Sequence, residues 1–268
     1  MNDNDNFKKA KTVWALGSYG DVAKILPPMS FDLIRAAKVN AKDRVLDVAC
    51  GPGNTAITAK KIGAEVVVGL DLTPELLERA NQEATIAEVS GIKWEEGNVE
   101  NLPFEDNSFD VVLSSVGHMF APNPEVVTKE LLRVTKPHGR ISFTTWPPEH
   151  AVGRIFAAIS KQITRDSNSP PSPMKWGIPE IIKKYFENKI NDVHFERGII
   201  NVPILSPNHY WYEMSTRYGP VINAVKSLDH RKKESLRRDF IKAIDPFISD
   251  NILKLDYLLT MIITKEKN

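Results

Sequence analysis

The segment VLDVACGPGN at residues 45–54, followed by VVVGLD ending at Asp71, most constrains how this chain can fold. The first apolar run carries an acid, Asp47, turns through Gly51 and Gly53, and leads into helix-forming residues before the second run begins. This order predicts a strand, a tight turn, a helix and a second strand parallel to the first. Because both acids fall near the carboxyl ends of neighbouring strands, the pattern indicates a crevice that binds a nucleoside.

Strand and helix signals continue to alternate after this unit. A helix is predicted over Thr55–Ile62, and two more begin at Thr73-Pro74-Glu75 and Asn123-Pro124-Glu125, because a capping residue followed by proline and an acid is typical of a first helical turn. Lys136–Gly139 is expected to close the last of these helices. The predicted strands are Arg44–Val48, Glu65–Leu70, Ile92–Glu96, Asp110–Ser115, Arg140–Trp146, Val193–Val202 and Lys254–Thr264.

Strands separated by helices favour right-handed crossovers and a sheet covered on both faces. We predict an α/β fold with a Rossmann-like, doubly wound, mostly parallel seven-stranded sheet. Helices beginning at Ser206-Pro207 form a helical cap inserted before the last strand, and the proline-rich Ser167–Met174 forms an exposed, non-helical junction. The whole chain, 1–268, is interpreted as one domain. Its predicted parts are an N-terminal lid at 7–29, a core at 30–150, and edge strands with the cap at 151–268.

Composition excludes several classes of function. A formal net charge of +1 gives no electrostatic footprint for nucleic acid, which is therefore not expected as a partner. One cysteine, Cys50, excludes an internal disulfide or a multi-thiolate metal site. No apolar stretch approaches the roughly 20 residues that span a bilayer, and the first residues lack the apolar core of a secretory signal. We expect a cytoplasmic protein without a transmembrane segment; its oligomeric state stays open.

The details of the glycine turn favour S-adenosylmethionine (SAM) over a dinucleotide. Gly51, Gly53 and Ala56 satisfy the dinucleotide fingerprint, with Asp71 about 20 positions beyond the first glycine, so an NAD(P)-dependent oxidoreductase remains the alternative. However, the carboxylate of Asp47 would repel a pyrophosphate and attract the ammonium of a methionine moiety. Pro52 also removes one backbone donor from a loop that would have to bind phosphates. Asp71 is placed to accept both ribose hydroxyls.

Four segments resemble, in order, the motifs of class I SAM-dependent methyltransferases: DVACGPGN, GLDLTPELLERA, GNVENLPFEDNSFDVVLSS and ELLRVTKPHGRISFTTW. The likeness is greatest to the small-molecule group called type 11, which includes ubiquinone and menaquinone methyltransferases. It is strong over about residues 45–146, extends weakly into VWALGSYGD and is loose beyond residue 150.

The resemblance implies roles for individual residues. Leu72 would pack on the adenine ring, and Asn98 and Val99 would meet its edge; the family has an acid where Asn98 stands, so that hydrogen bond lacks charge assistance here. Ser114 and Ser115 end the fourth strand and would face the donor from the other side. The full set of predicted cofactor-binding residues is Asp47, Gly51, Gly53, Asn54, Asp71, Leu72, Asn98, Val99 and Ser114.

Methyl transfer is an in-line displacement, so the protein mainly aligns the reactants and accepts a proton where needed. His118, just past the fourth strand, is the candidate base, although it can equally pack within its loop. Tyr19 and Trp14 lie in the predicted lid and are candidates to close the site, or else belong to a helix packed on the sheet. The aromatic run at 209–214 is a candidate wall for an apolar acceptor. No metal is expected.

The sequence therefore predicts an enzyme that transfers a methyl group from SAM to a carbon or oxygen nucleophile of a small-molecule substrate, with S-adenosylhomocysteine as the product. By resemblance, the acceptor is a quinone precursor or a similar ring. A non-catalytic SAM-binding protein is a further alternative; it would keep the crevice but block the path to the methyl group.

Overall fold

The computed structural model describes residues 3–162 and 170–266, with side chains from Phe7 onward. The strands are β1 Arg44–Val48, β2 Val66–Asp71, β3 Ile92–Glu96, β4 Phe109–Ser115, β5 Thr135–Thr145, β6 Ile190–Pro203, β7 Ile248–Ser249 and β8 Ile252–Thr264. The helices are α1 Asp3–Trp14, α2 Tyr19–Val22, α3 Pro27–Ala36, α4 Asn54–Lys61, α5 Pro74–Ile86, α6 Pro124–Val134, α7 Ala151–Gln162, α8 Pro179–Tyr185, α9 Pro207–Arg217, α10 Gly219–Lys226 and α11 His230–Ile244.

One eight-stranded sheet organises these elements, in the order β3-β2-β1-β4-β5-β8-β6, with β7 paired to β8. The first five strands are parallel, and β8 runs antiparallel to β5 and β6. The order reverses direction between β1 and β4, so the crevice expected of a doubly wound sheet lies at the carboxyl end of β1. The predicted Rossmann-like fold with a cap before the last strand is confirmed; the additional strand is the two-residue β7.

Both faces of the sheet are buried because its strands carry apolar residues in continuous runs. On one face, Val45 and Val111 pack with Leu33 of α3 and Ala59 of α4. On the other face, Leu46 and its neighbours join a larger cluster that extends to α6, α7 and the cap helices α9–α11. Position 47, between these apolar residues in β1, therefore places its carboxylate inside the sheet.

Two boundaries differ from the sequence prediction. Residues 136–139 do not form a separate turn after α6, because Thr135 already pairs with Phe109 and the ladder resumes at Arg140 after a bulge. Of the predicted proline-rich junction, residues 167–169 lie outside the described residues, while Pro173–Gly177 form a short 3₁₀-helix. Proline is compatible with a first helical turn, and the Ser172 hydroxyl accepts the Met174 N–H at 3.4 Å, so this end of the segment is helical after all.

The N-terminal segment, residues 3–26, crosses the carboxyl edge of the sheet and is joined to the cap. Gly17 forms an isolated bridge with Tyr218, and the Ser18 N–H donates to the Arg217 carbonyl at 3.0 Å. A side chain at Gly219 would meet the Val13 carbonyl at 2.1 Å, so α1 and α10 approach each other as closely as a glycine allows. In the described ranges, no helix is both long and apolar enough to cross a membrane.

Candidate active site

A cavity lies at the carboxyl ends of β1, β2 and β4, beneath the N-terminal segment. This first cavity contains about 990 Å³ of empty space, including the part open to solvent. Its wall includes Tyr19 from α2, Gly51 after β1, Asp71 at the end of β2 and Ser115 at the end of β4. The predicted residues Asn54, Leu72, Asn98 and Val99 also line it. The topology and the glycine turn therefore converge on one site.

Asp71 holds the loop after β1 in place. Its Oδ2 accepts the Gly51 N–H at 2.8 Å, and its Oδ1 accepts the Thr73 N–H at 2.9 Å. Burial raises the pKa of Asp71, while the hydrogen bonds from Gly51 and Thr73 act in the opposite direction. Each carboxylate oxygen keeps a further lone pair, so Asp71 can accept hydroxyl groups of a ligand without releasing the loop.

The loops after β1 and β4 meet under backbone strain. Ala49 and Val116 both have left-handed backbone angles, with φ of 51° and 52°, and both line the first cavity. Such a conformation is rare for a β-branched residue such as Val116 and costs of the order of 1–3 kcal/mol. A Cβ at Gly117 would lie 2.5 Å from the Ala49 Cβ, so only glycine permits this contact.

Asp47 does not line the first cavity, contrary to the sequence prediction. It is fully buried behind the loop, where Oδ2 accepts the Ala56 N–H at 3.0 Å and ties β1 to the first turn of α4. Oδ1 has no hydrogen-bond partner among the described residues. Burial raises the pKa of Asp47 well above its ordinary value; the Ala56 N–H opposes this shift, and the charge of Asp71 adds to it.

Gly53 also lies outside the cavity wall. A Cβ at this position would approach the Trp94 ring to 2.7 Å, and its φ of 86° suits glycine. The conformation of Gly53 therefore allows Trp94 to pack beneath the loop. Gly51, in contrast, forms part of the wall of the first cavity. Both glycines were predicted to bind the cofactor, because their spacing alone does not show which of them an aromatic ring covers.

Leu72, Asn98 and Val99, which were predicted to meet the adenine, line one part of the first cavity. Asn98 Oδ1 accepts the Glu100 N–H at 3.0 Å and closes a local turn. The same oxygen has a second lone pair that can accept from a ligand amine. Leu72 and Val99 contribute apolar surface to the same part of the wall. Asn54, in contrast, donates its side-chain amide to the Ala23 carbonyl at 2.9 Å and so ties α4 to the N-terminal segment.

Ser115, and not Ser114, faces the first cavity. The Ser114 hydroxyl donates to the Val48 carbonyl at 2.9 Å and accepts the His118 N–H at 3.1 Å, on the opposite face of β4. Successive strand residues point to opposite faces, which explains why only one of the two serines reaches the cavity.

The structure places His118 away from both the first cavity and solvent. Its ring is fully buried and lies 4.5 Å from the Phe143 ring and 4.7 Å from the Trp176 ring, measured between centroids. Neither ring nitrogen has a hydrogen-bond partner among the described residues. Burial lowers the pKa of His118 to about 3. A neutral imidazole with no path to a ligand is a poor general base, so the geometry corrects this expectation.

Tyr19 lies at the junction of the first cavity with a second one. Its ring approaches the Trp14 and Tyr218 rings with centroid distances of 5.4 and 6.1 Å, and Trp14 in turn contacts Phe120 at 5.0 Å. Burial, and then the charge of Asp71, raise the pKa of Tyr19, which keeps its hydroxyl protonated at neutral pH. Tyr19 can therefore donate a hydrogen bond but does not serve as a base.

The second cavity lies between the N-terminal segment, α7 and the cap helices, with about 580 Å³ of empty space including its open part. It shares Tyr19, Leu26, Val116 and Phe120 with the first cavity, so the two are contiguous. Sequence reasoning anticipated a wall from the aromatic run at 209–214, and Tyr210 and Met214 do line it. It missed Tyr218 and α7, because their place depends on how the cap folds back.

Phe7 and Ala10 of α1 also line the first cavity and were not predicted. Together with Trp14 they recur every three to four residues along the helix, a spacing typical of one helical face. This spacing is the feature of the sequence from which the apolar face of α1 could have been predicted.

Comparison with known proteins agrees with this geometry. A family model described as a methyltransferase domain matches residues 46–143. An uncharacterised protein of Mycobacterium tuberculosis is 33% identical over 253 residues, 93% of this chain and 92% of that protein. A demethylmenaquinone methyltransferase of Deinococcus radiodurans is 32% identical over 159 residues, 54% of this chain and 66% of that protein.

The chain belongs to the SAM-dependent methyltransferases. Its fold is also that of a geranyl diphosphate methyltransferase solved in complex with SAM, with a TM-score of 0.53 and 16% sequence identity, covering 89% of this chain and 85% of that chain. An NAD(P)-dependent oxidoreductase is not favoured by any of these likenesses.

Proposed function

We propose that the first cavity binds SAM and that the methyl group passes to a small-molecule acceptor in the second cavity. The observation that carries this proposal is the buried carboxylate of Asp71, which lines the first cavity at the carboxyl end of β2. A carboxylate in this position suits a ribose with two free hydroxyls. The contiguous second cavity supplies the space from which an acceptor could reach the methyl group.

The residues of the first cavity fit SAM in chemistry as well as in position. Asp71 would hold the ribose, Asn98 the adenine amine, and Leu72 and Val99 the faces of the adenine. The N-terminus of α4 would receive the methionine carboxylate, because unpaired N–H groups and the helix dipole favour an anion there. Asp47 lies behind the same loop, and its bond from the Ala56 N–H ties β1 to the first turn of α4.

SAM supplies an activated methyl group on a sulfonium, and the protein's task is alignment. The acceptor atom forms a bond to the methyl carbon as the carbon–sulfur bond breaks, the electron pair stays on sulfur, and the acceptor's proton passes to water. Tyr19 at the junction would orient the acceptor with its neutral hydroxyl. The largely apolar wall of the second cavity lowers the local polarity, which would strengthen the attraction between the sulfonium and an electron-rich acceptor.

A ring compound is the acceptor class that the relatives suggest, since one of them is described as a demethylmenaquinone methyltransferase. The product on the donor side would be S-adenosylhomocysteine. A small-molecule acceptor also suits the second cavity, which lies inside the fold and not along an extended surface groove.

The substitution Asp71→Asn tests this proposal. We expect calorimetry to show SAM binding to the parent protein and a loss of about 10- to 100-fold in affinity for the variant, the effect of weakening hydrogen bonds to a charged acceptor by about 1.4 to 2.8 kcal/mol. Glu75→Gln, on the first turn of α5 and outside the cavity wall, is the matched control and should bind SAM like the parent.

NADH fluorescence should not change on mixing with the protein. Equal SAM affinity of Asp71→Asn and the parent, or saturable binding of NADH in place of SAM, would contradict the site assignment.

A further inference from the structure

The wall of the second cavity is apolar except for a small group of hydroxyls and one indole. Among the described residues that line it there is no acid, lysine, arginine or histidine. The apolar surface includes Val152 and Phe156 of α7, Trp146 and the cap residues Val221 and Phe240. A charged ligand would lose its hydration here without gaining a counter-ion, which is strongly unfavourable. The wall of the second cavity therefore favours uncharged, apolar ligands.

Tyr19, Tyr210 and Tyr218 bring their side chains to this cavity from three different elements. Burial raises the pKa of Tyr218 well above its ordinary value, and the neighbouring Tyr19 and Tyr210 contribute to this shift, so the three phenol groups lie close together. None of the three hydroxyls has a hydrogen-bond partner in the described part of the chain. None of their oxygens is completely buried, so each keeps some accessible surface. Three phenol side chains without a partner among the described residues thus belong to the wall of one cavity.

An unpaired hydroxyl in an apolar cavity is costly unless a ligand supplies the partner. All three tyrosines are protonated at neutral pH, because burial raises the pKa of each. They can donate to an oxygen of a bound molecule and stabilise partial negative charge on it, but they cannot act as bases. The chemical complement of this arrangement is a neutral molecule with an electron-rich oxygen.

The aromatic side chains around the junction favour a flat ligand. Phe156 approaches Phe120 and Tyr218 with ring-centroid distances of 5.5 and 6.4 Å, and Tyr218 approaches Trp14 at 5.9 Å. These rings surround the passage between the two cavities and offer faces and edges to another ring.

We propose that the second cavity binds an uncharged ring compound with a phenolic or carbonyl oxygen, held by the hydroxyls of Tyr19, Tyr210 and Tyr218. This inference rests on the proposed methyl transfer, and it names the acceptor class and the residues that select it. The oxygen lies beside Tyr19, at the passage to the first cavity, so the same contact that recognises the acceptor also orients it toward the donor.

The second cavity also borders a groove on the protein surface. This groove lies between the N-terminal segment, the end of β6 and α9, and it shares Val22, Ile25, Tyr210 and Met214 with the second cavity. Tyr210 therefore forms part of the wall between the groove and the second cavity.

Fluorescence titration with four naphthalene probes tests the inference, using the full chain with and without S-adenosylhomocysteine. The probes are 1-naphthol, naphthalene, 1-naphthoate and 1-naphthylmethylammonium. We expect 1-naphthol to bind about 3- to 10-fold more tightly than naphthalene, the effect of one net neutral hydrogen bond. The two charged probes should bind more weakly than naphthalene.

Tyr210→Phe and Tyr218→Phe keep the rings and remove the hydroxyls. Each should weaken 1-naphthol by about twofold or more and leave naphthalene unchanged. The double variant should prefer 1-naphthol over naphthalene less than either single variant does, because only the Tyr19 hydroxyl remains. Tyr212→Phe is the matched control, since Tyr212 lies on the same helix as Tyr210 but is 60% exposed. It should not affect any probe.

The possible outcomes separate this inference from the proposed function. Tighter binding of either charged probe than of 1-naphthol, equal binding of 1-naphthol and naphthalene, or unchanged 1-naphthol affinity in both tyrosine variants would each overturn the acceptor class. S-adenosylhomocysteine affinity is measured on the same samples. If S-adenosylhomocysteine fails to bind while the probes behave as expected, the donor assignment fails and the preference of the second cavity stands.

Discussion

The imidazole of His118 lies among aromatic rings, and it affects how the free energy of unfolding depends on pH. Its pKa is lowered to about 3 by burial, against 6.5 for an ordinary histidine. Below 6.5 the unfolded chain binds a proton that the folded chain does not, so this contribution to stability is complete above 6.5 and is lost as the pH falls toward 3. The free energy of unfolding should therefore decrease on acidification through that window.

We expect the substitution His118→Phe to remove this part of the pH dependence. Between about pH 7.5 and pH 5, urea unfolding of the parent should lose roughly 2 kcal/mol more than unfolding of the variant, since each pH unit below the unfolded pKa contributes about 1.4 kcal/mol per proton. The exposed His194 offers the control His194→Gln, which should keep the parent's pH dependence. Identical pH profiles for His118→Phe and the parent would show that the ring is protonated in the folded state.

At the scale of residues, the sequence was informative where a backbone pattern defines the site. The glycine turn and Asp71 lie where the spacing placed them, because a parallel βαβ unit leaves little freedom for its first loop. Asp47, Ser114 and His118 were assigned to the crevice by their nearness in sequence. Ser114 faces away because successive strand residues point to opposite sides of the sheet, and His118 follows a left-handed turn at Val116 that the sequence did not reveal.

At the scale of elements, the contact between the loops after β1 and β4 is the most constrained feature of the site. A methyl group at Gly117 would overlap both the Cβ and the carbonyl oxygen of Ala49, each 2.5 Å away. Neither neighbour is a flexible side-chain end, so the loop after β1 would have to shift. That loop also carries the Gly51 N–H that Asp71 accepts.

We expect Gly117→Ala to lower SAM affinity by at least tenfold and to lower the melting temperature by several degrees, since overpacking costs roughly 1–3 kcal/mol. Gly91→Ala is a useful comparison. Its φ of 77° makes alanine strained there, but the position lies outside the wall of the first cavity. Calorimetry should show that Gly91→Ala melts at a lower temperature than the parent. Its affinity for SAM should equal that of the parent. Unaltered SAM binding by Gly117→Ala would mean that the loop adapts without moving the site.

Elements with a strong local signal were predicted well, and those that depend on tertiary contacts were not. The parallel strands and the helices with a proline in the first turn agree with the structure within a few residues. The early start of β5 at Thr135 follows from pairing with Phe109, and the short β7 exists only because β8 folds back beside it. Neither pairing leaves a mark in the local sequence.

At the scale of the whole molecule, the N-terminal segment covers the first cavity and connects the sheet to the cap. Phe7, Trp14 and Tyr19 contribute to the wall, and the Lys11 ammonium donates to Glu96 at the end of β3. SAM bound in the first cavity as proposed would contact these side chains. Once SAM is bound, it adds contacts that hold the segment closed.

We therefore expect SAM to slow amide hydrogen exchange over residues 7–22, by a factor that grows with SAM concentration as for any ligand that binds only the closed state. Peptides from β6, far from the first cavity, serve as the internal control and should exchange at the same rate with and without SAM. Protection of β6 alone, or none in the N-terminal segment, would contradict this role for the segment. The predicted limits of the lid at 7–29 and of the single domain at 1–268 remain predictions.

The bridge between Gly17 and Tyr218, with the bond from Ser18 to Arg217, has a consequence for how the two ligands influence one another. The N-terminal segment, which covers the first cavity, is hydrogen-bonded to the region between α9 and α10. These two helices line the second cavity. A ligand that orders the contact between Gly17 and Tyr218 therefore changes the free energy with which the other ligand binds. If SAM and an acceptor bind the two cavities as proposed, their binding is coupled through this junction, and thermodynamic reciprocity requires that each ligand change the other's dissociation constant by the same factor.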